Sequence, residues 1–293
     1  MTEWFRPTGT TARDGFDLAV VPGEPGWSHT GLYVVTLAPG ESREIETGSS
    51  EYIVLPLQGS AEVVCAGETV KLEGRTSPFA GPTDLAYIPI DSVFTIESVD
   101  GARIALPHAK ATTSYNFRRL GKEQVPTELR GAGVASRQVN NFGTPAVLEA
   151  DSIIACEVIT PGGNWSSYPP HKHDEQKPGE ESELEEIYYF ELQSEQGAPG
   201  NNEPIAYQRV YGTDERPIDV LAEVRDGDLV LVPHGWHGPA MAPPGYDLYY
   251  LNVMAGPGAE RQWLISDDPR HGWVRESWES QQIDPRLPFG GKR

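Results

Sequence analysis

Four of the seven histidines in this chain lie between positions 171 and 237, and their types and spacing suggest a shared chemical role. In the stretch YPPHKHDE, one residue separates His171 from His173. Side chains alternate between the two faces of a β-strand, so this spacing directs both imidazoles to the same side. Such a pair can bind a divalent metal ion, although surface strands also carry it by chance. The surrounding sequence must distinguish these two interpretations.

That sequence contains further groups able to bind a metal ion. A Pro161-Gly162 turn precedes the histidine pair, and Glu186 opens the strand-like run EIYYF. The segment RDGDLVLVPHGWHGP then places His234 and His237 directly after another apolar run and a turn. The order of turn, His-x-His, Glu and His resembles the two metal-binding motifs of the cupin superfamily.

The cupin resemblance implies a ligand set of His171, His173, Glu186 and His237, with one divalent ion per chain, zinc or manganese. Three neutral imidazoles and one carboxylate leave a dication with net positive charge and open positions for substrate oxygens. The ion could then polarise a carbonyl and an adjacent hydroxyl.

Two of these ligands have competitors nearby in the sequence. Glu181, Glu183 and Glu185 compete with Glu186 for the role of the carboxylate ligand, and the alternative interpretation is that these residues form a solvated acidic loop. Strand alternation favours Glu186, because a strand with Glu186 on its inward face also has Tyr188 and Phe190 on that face. His237 is favoured over His234, since His234 directly follows Pro233 on the expected turn.

The elements that position these residues are predicted to be short strands. The chain has 293 residues with 31 glycines and 26 prolines, a content that argues against long helices. Strand-like runs recur in two series separated by turn residues. We predict an all-β fold with little helix: a tandem cupin of two antiparallel jelly-roll or β-barrel domains.

The change in composition along the chain predicts the domain boundaries. Residues 1–121 form an N-terminal cupin without metal ligands, and 122–143 form a polar connecting segment. Residues 144–265 form the metal-binding cupin, and 266–293 form a tail with one short helix around Trp273 to Ser280. These boundaries rest on the shift from alternating apolar runs to the sequence RGAGVASRQVNNFG.

The two series read as diverged copies of one unit. Pro39-Gly40 parallels Pro161-Gly162, and the run from Glu51 parallels the run from Glu186. The first copy has SREIETG where His-x-His would fall and Phe94 near the position of the last imidazole. It therefore cannot build the same site, and we expect it to pack against the second copy or to support a homo-oligomer.

Composition excludes several classes of partner. Acidic residues exceed basic ones by 20, which disfavours binding to nucleic acid or to an anionic membrane surface. No long apolar run or signal pattern occurs, so we expect a cytoplasmic protein. Cys65 and Cys156 each lie in an apolar run and are interpreted as buried structural thiols.

Beyond the metal motifs, most of the chain resembles one enzyme family. The segments SSYPPHKHDE, LEEIYYFEL, YQRVYG and RGAGVASRQVNN are similar to those of the 5-deoxy-glucuronate isomerases of inositol catabolism. The resemblance implies a cytoplasmic aldose–ketose isomerase that converts 5-deoxy-glucuronate to 5-dehydro-2-deoxy-gluconate. The related 4-deoxy-5-ketouronate isomerases of pectin degradation are the alternative, and the acidic insertion from Asp174 to Glu185 favours the inositol branch.

Isomerisation of this kind requires a proton carrier, unless the metal promotes a hydride shift. The candidate bases are Glu185, Asp174, Tyr188 and Tyr250.

The substrate is a small sugar acid, and its carboxylate needs a local positive charge. Arg209 and Arg137 are the candidates for gripping it, and Gln208 is a further substrate-binding candidate. Two competing functions are a cupin dioxygenase that uses iron in the same cage and a non-catalytic sugar-acid-binding cupin.

Overall fold

The structure, a computed structural model, describes residues 4–195 and 197–290. The strands of the first half are β1 (Phe5–Arg6), β2 (Leu18–Val20), β3 (Thr30–Leu37), β4 (Glu41–Glu46), β5 (Ser50–Cys65), β6 (Glu68–Arg75), β7 (Leu85–Ile88), β8 (Val93–Ser98), β9 (Ala102–Lys110) and β10 (Arg118–Leu120). The strands of the second half are β11 (Thr127–Arg130), β12 (Arg137–Asn140), β13 (Ile154–Thr160), β14 (Trp165–Ser166), β15 (His171–Lys172), β16 (Asp174–Lys177), β17 (Glu181–Glu183), β18 (Glu185–Ser194), β19 (Ala206–Tyr211), β20 (Asp219–Val224), β21 (Leu229–Val232), β22 (Trp236–Met241), β23 (Tyr246–Ala255) and β24 (Ser266–Asp267).

Helix is scarce among the described residues, as predicted. It consists of α1 (Val274–Ser277) and four 3₁₀ turns, at Pro78–Ala80, Lys122–Gln124, Gly133–Ala135 and Trp278–Ser280. The predicted short helix near the C-terminus therefore lies at α1 and the turn that follows it. No helix in the described part of the chain is long and apolar enough to span a membrane.

Antiparallel sheets curl around a separate core in each half. In the first half, nine strands form one sheet with the main order β10-β7-β5-β9-β3-β2. Its interior is packed with apolar side chains that include Tyr52, Phe94 and Cys65. In the second half, a seven-stranded sheet, β1-β21-β18-β23-β13-β12-β11, faces a six-stranded sheet, whose main order is β20-β19-β22-β15-β24. A second apolar core, with Cys156, Tyr188 and Phe190, fills this barrel.

The segment 122–143 carries more structure than its polar composition predicts. Within it, β11 and β12 extend the sheet of the second half, and all four residues of β12 are buried. Strand β1, from the N-terminal part of the chain, pairs with β21 of the same sheet. The division of the chain at 121 and 143 stays a prediction. Residues 1–121 contribute β1 to the second barrel, and residues 122–143 contribute β11 and β12.

The two halves share a third apolar core. Ile53 and Leu55 of β5 pack in one cluster with Ile187 and Tyr189 of β18. Strand β18 is therefore buried on both faces, with alternate residues pointing into the second barrel and toward the first half. Burial of this apolar surface is the main force that joins the halves.

Two glutamates cross this interface in reciprocal fashion. The Glu51 carboxylate, on β5, accepts the backbone N–H groups of residues 151–153 at 2.7–2.9 Å. The Glu185 carboxylate, on β18, accepts those of residues 28–30 at 2.7–2.9 Å. This reciprocity makes Glu51 the counterpart of Glu185. The alignment of Glu51 with Glu186 was therefore wrong by one residue.

Replacing either carboxylate is predicted to weaken the junction between the halves. Glu51→Gln or Glu185→Gln removes a charged acceptor from three backbone N–H groups, one of them fully buried, which costs on the order of 2–3 kcal/mol of unfolding free energy. Glu183→Gln, at an exposed position in β17, is the matched control and should lie within about 0.5 kcal/mol of the wild type. Urea denaturation measures the difference. Equal stability of Glu185→Gln and Glu183→Gln would contradict the structural role.

Candidate metal centre and active-site cavity

Two strands of the six-stranded sheet bring three histidines together. His171 on β15 lies directly opposite His237 on β22 in an antiparallel pair, and His173 follows β15 on the same face as His171. One ring nitrogen from each of the three lies within 4.8 Å of the other two. All three side chains are buried inside the second barrel. The structure therefore converges three imidazoles on one point.

Backbone carbonyls fix the orientation of two of the rings. The His173 Nδ1 lies 3.1 Å from the Leu184 carbonyl oxygen, and the His237 Nδ1 lies 3.1 Å from the Gly235 carbonyl oxygen. A carbonyl oxygen can only accept, so in each ring Nδ1 carries the proton and donates it. Each Nε2 is then left as a free electron-pair donor. Metal-binding histidines in proteins are oriented by this type of contact.

Glu186, the second residue of β18, supplies the fourth group. Its Oε2 lies 3.1 Å from the Nε2 of His173 and 3.1 Å from the Nε2 of His237. The His237 Nε2 is buried and makes no hydrogen bond. A neutral imidazole Nε2 and a carboxylate oxygen are both acceptors, so this close arrangement requires a cation or a proton among them. Three imidazole nitrogens and one carboxylate oxygen suit a divalent first-row metal ion.

The electrostatics of the four groups agree with this interpretation. Burial and the two neighbouring imidazoles hold the pKa of His171 well below its usual value, so its ring is neutral. Burial alone would raise the pKa of Glu186, but the adjacent His173 and His237 imidazoles lower it overall. Burial likewise opposes protonation of His173, and the Glu186 carboxylate nevertheless raises its pKa. Glu186 is therefore ionised, which is the state that binds a metal.

A cavity of about 330 Å³ opens beside these groups. It is lined by Arg130, Arg137, Val139, Val158, Ser167, His171, Glu186, Tyr188, Tyr250, Asn252, Trp263, Ile265, Asp267 and Arg275. Its size lies at the lower end of the range for small-molecule sites.

Hydroxyl groups form one wall of the cavity. The Ser167 Oγ lies 3.3 Å from the Tyr188 hydroxyl and 3.1 Å from the Tyr250 hydroxyl. The backbone of Ser167 has a φ of 50°, a left-handed conformation that is rare for a residue other than glycine. Burial raises the pKa of both phenols, so they stay protonated. The wall therefore presents hydrogen-bond donors to a bound molecule.

Positive charge collects at another part of the cavity. Arg130 is paired with Glu128, and Arg275 is paired with Asp267. Arg137 is buried, and its guanidinium donates to the Ala135 carbonyl oxygen at 3.0 Å, but within residues 4–195 and 197–290 it has no carboxylate partner. Burial lowers the pKa of Arg137 to about 10. Two of the three guanidinium groups are thus paired with carboxylates, and a ligand carboxylate would balance the third.

Three of the predicted site residues, Glu185, Arg209 and Gln208, do not line the cavity, and these predictions are corrected. Glu185 points away from the cavity, because alternation along β18 turns it toward the first half, where its carboxylate is fully engaged. Arg209 lies on the outer face of β19, where it pairs with Asp219. Its neighbour Gln208 faces inward and is fully buried, with neither amide atom hydrogen-bonded, but it does not line the cavity.

Carboxylates of the acidic insertion, Asp174 to Glu185, surround the side chain of Lys172. The ammonium group of Lys172 lies within 3.0 Å of carboxylate oxygens of Asp174, Glu175 and Glu181. Asp174 also accepts the backbone N–H of Gly235 at 2.8 Å, next to the turn that leads to His237. Asp174 is therefore placed outside the cavity. His234 lies outside the histidine cluster.

Sequence reasoning missed the contribution of the C-terminal segment to the cavity. Strand β24 pairs with β15 next to His171, and in this way Asp267 and Arg275 reach the cavity wall. Trp263 and Ser167 were also missed. No local pattern marks these four positions, because each depends on pairing between distant segments.

In the first barrel, aromatic rings occupy the interior. Tyr52 stacks on His108 with ring centroids 4.5 Å apart, and Phe94 lies 5.8 Å from Tyr52. The His108 Nδ1 donates to the Leu106 carbonyl oxygen, and burial lowers the pKa of His108 to about 4. Packed aromatic and aliphatic side chains therefore fill the interior of this half of the molecule.

Comparison with known proteins gives consistent matches over most of the chain. The model of the KduI/IolB family matches residues 4–274. A 5-deoxy-glucuronate isomerase from Geobacillus kaustophilus is 40% identical over 279 residues, which cover 94% of this chain and 97% of that protein. One from Bacillus subtilis strain 168 is 40% identical over 245 residues, 83% of this chain and 86% of that protein.

Solved structures confirm the predicted fold. An IolB-like protein from Salmonella typhimurium LT2 is 32% identical, with a TM-score of 0.84 over 93% of this chain and 99% of that one. Oxalate decarboxylase from Lactobacillus farciminis is 13% identical, with a TM-score of 0.60 over 85% of this chain and 82% of that one. The second match bears on the fold alone. Together they confirm the all-β tandem cupin fold.

The histidine cluster predicts a measurable metal content. Purified protein should contain about one divalent ion per chain, since one such cluster needs one ion. His173→Ala and His237→Ala should lose most of it, whereas His234→Ala, the matched control outside the cluster, should keep it. Elemental analysis after dialysis measures the content. Full retention by His173→Ala, or equal loss from His234→Ala, would contradict the assignment.

Proposed function

We propose, from the premise that this chain belongs to the KduI/IolB family, that it is a 5-deoxy-glucuronate isomerase of myo-inositol catabolism. In this reaction 5-deoxy-glucuronate, an open-chain aldose acid, becomes the ketose 5-dehydro-2-deoxy-gluconate. The observation that carries the proposal is the pairing of two features in one cavity. A three-histidine, one-glutamate cluster lies beside a buried arginine that has no carboxylate partner among the described residues.

His171, His173, Glu186 and His237 would hold the metal ion, and zinc or manganese suits their three nitrogens and one oxygen. When bound, such an ion acts as a Lewis acid that stabilises negative charge on a carbonyl oxygen and on its neighbour. An open-chain aldose carries two such oxygens on adjacent carbons, its carbonyl oxygen and the hydroxyl of carbon 2. The role of the protein's other groups is to orient the sugar and to move protons.

Tyr188 and Tyr250 are suited to donating hydrogen bonds in this reaction. Isomerisation removes the proton on carbon 2, and negative charge then develops on the oxygen of carbon 1. Both phenols stay protonated, and Ser167 holds them together at the cavity wall. Donors fixed in a site that excludes water stabilise such charge more than solvent does, since they need no reorganisation.

Arg137 is the proposed partner of the substrate carboxylate. Its guanidinium is buried beside the cavity, and the guanidinium carbon lies 5.5 Å from the centre of the Trp278 ring. An arginine can grip a carboxylate through two parallel hydrogen bonds, which fixes the direction of the chain as well as its charge. The aldehyde end is then placed at the histidine cluster.

Removal of the metal is predicted to abolish turnover. The wild-type protein should convert 5-deoxy-glucuronate, lose activity after treatment with a chelator, and regain it when zinc or manganese is restored. Product formed in deuterated water should carry solvent deuterium, as expected for proton transfer rather than a hydride shift. NMR measures both the amount of product formed under each metal condition and the deuterium that the product carries.

Two outcomes would contradict the proposal. Faster conversion of 4-deoxy-5-ketouronate than of 5-deoxy-glucuronate would move the chain to the pectin branch. No conversion of either sugar acid by the metal-loaded protein would remove the isomerase function and favour a binding role.

Removing the charge of Arg137 is predicted to lower kcat/KM selectively for substrates that carry a carboxylate. Arg137→Met should lower kcat/KM for 5-deoxy-glucuronate by about 10²–10³-fold, because a buried charge-assisted contact is lost. Turnover of the analogue with a hydroxymethyl group in place of the carboxylate should change little. Arg209→Met, which removes a surface arginine, is the matched control. An equal loss for both substrates would contradict a carboxylate-binding role.

A further inference from the structure

The reaction needs a group that takes the proton from carbon 2, and the expected candidates do not fit. Glu185 and Asp174 both lie outside the cavity, each engaged in its own hydrogen bonds. Tyr188 and Tyr250 line the cavity but stay protonated, which suits hydrogen-bond donors and not bases. The base must therefore be another group of the cavity wall.

The cavity lining contains two carboxylates, Glu186 and Asp267. Glu186 is almost completely buried, and its Oε2 faces the nitrogens of two imidazoles, so it is committed to the histidine cluster. The side chain of Asp267 is 23% exposed and is therefore open to a molecule entering the cavity. Among the described residues that line the cavity, Asp267 is the carboxylate left for proton transfer.

The backbone brings Asp267 close to the reacting end of the cavity. Strand β24 pairs with β15, and within this pair Asp267 lies directly opposite His171. His171 is one of the four proposed metal ligands. A substrate bound at the histidine cluster would therefore have carbons 1 and 2 near this strand. A base must lie close to the proton that it removes, and the register places Asp267 beside His171 in the lining of the same cavity.

Arg275 holds the Asp267 carboxylate in one orientation. Its Nη2 donates to Asp267 Oδ1 at 2.7 Å, and its Nε donates to Oδ2. A carboxylate has about four lone-pair sites, so this two-point grip leaves sites free to accept a proton. Arg275 is therefore a positioning residue, and it aligns the base without using all of its acceptor capacity.

We propose that Asp267 is the catalytic base of this isomerisation, an inference that rests on the proposed function. An Asp267 oxygen forms a bond to the hydrogen of carbon 2, and the electron pair of the broken C–H bond forms the carbon 1–carbon 2 double bond. The carbonyl π pair moves to the oxygen of carbon 1, which takes a proton from the hydroxyl of Tyr188 or Tyr250 at the cavity wall. Asp267 then returns its proton to carbon 1, carbon 2 becomes the carbonyl carbon, and the proton of its hydroxyl restores the tyrosine. Nothing is gained or lost, and no external oxidant or reductant is required.

The test compares variants of one segment in the metal-loaded protein. Asp267→Asn keeps the size of the side chain and removes its basicity, and Asp267→Ala leaves room for a small carboxylate. Glu276→Gln, at an exposed position of α1, is the matched control. The measurements are kcat, metal content, and substrate affinity by calorimetry, with and without added formate.

Asp267→Asn should lower kcat by about 10²–10⁴-fold, the usual contribution of a general base. Metal content should be unchanged, and the substrate should bind no more weakly. Formate should raise the kcat of Asp267→Ala in a saturable manner, which a merely structural role would not produce. Glu276→Gln should behave as the wild type.

Three results would overturn the assignment. They are an Asp267→Asn variant with the kcat of Glu276→Gln, a loss of kcat that follows loss of metal or of substrate affinity, and an Asp267→Ala variant that formate does not rescue. If the wild type itself converts no 5-deoxy-glucuronate, the proposed function fails instead, and the two failures are distinct.

Discussion

Strand β18 is buried on both of its faces, and this burial fixes which of its side chains face the cavity and which face the first half. Alternate residues of one strand must point in opposite directions. One set, which includes Glu186, Tyr188 and Phe190, points into the second barrel, and the other, which includes Ile187 and Tyr189, packs against the first half. The same alternation that joins the two halves therefore also places Glu186 and Tyr188 at the cavity. A shift of one residue would exchange the two sets and remove both features.

A second constraint is the cost of burying charge. Inside the molecule, the Glu51 and Glu185 carboxylates each accept several backbone N–H groups, and Arg75 is paired with Glu157. Buried polar groups are normally satisfied in this way, because an unpaired one costs free energy. Two exceptions near the cavity, the His237 Nε2 and the Arg137 charge, are therefore informative. They point to a metal cation and a substrate anion as the missing partners.

Much of this arrangement could be predicted from the sequence, and the errors have physical causes. The period-two spacing of His171 and His173 is local, so it was visible without a fold. The phase of β18 was harder to assign. Where a strand is buried on both faces, both sets of alternate residues are apolar, and the pattern does not say which set faces which core. For this reason the counterpart of Glu51 was misassigned by one residue, and Glu185 was considered as a base. The contribution of Asp267 depends on pairing between β24 and β15, which no local pattern encodes.

We propose that three imidazoles and one carboxylate of the second barrel hold a single divalent ion. X-ray absorption spectroscopy of the zinc-loaded protein is the decisive measurement, because the first coordination shell reports the type and distance of each ligand. We predict three imidazole nitrogens and oxygen ligands, all at about 2.0–2.2 Å from the ion. A shell with a sulfur ligand, with oxygen ligands only, or with fewer than three imidazoles would contradict the account.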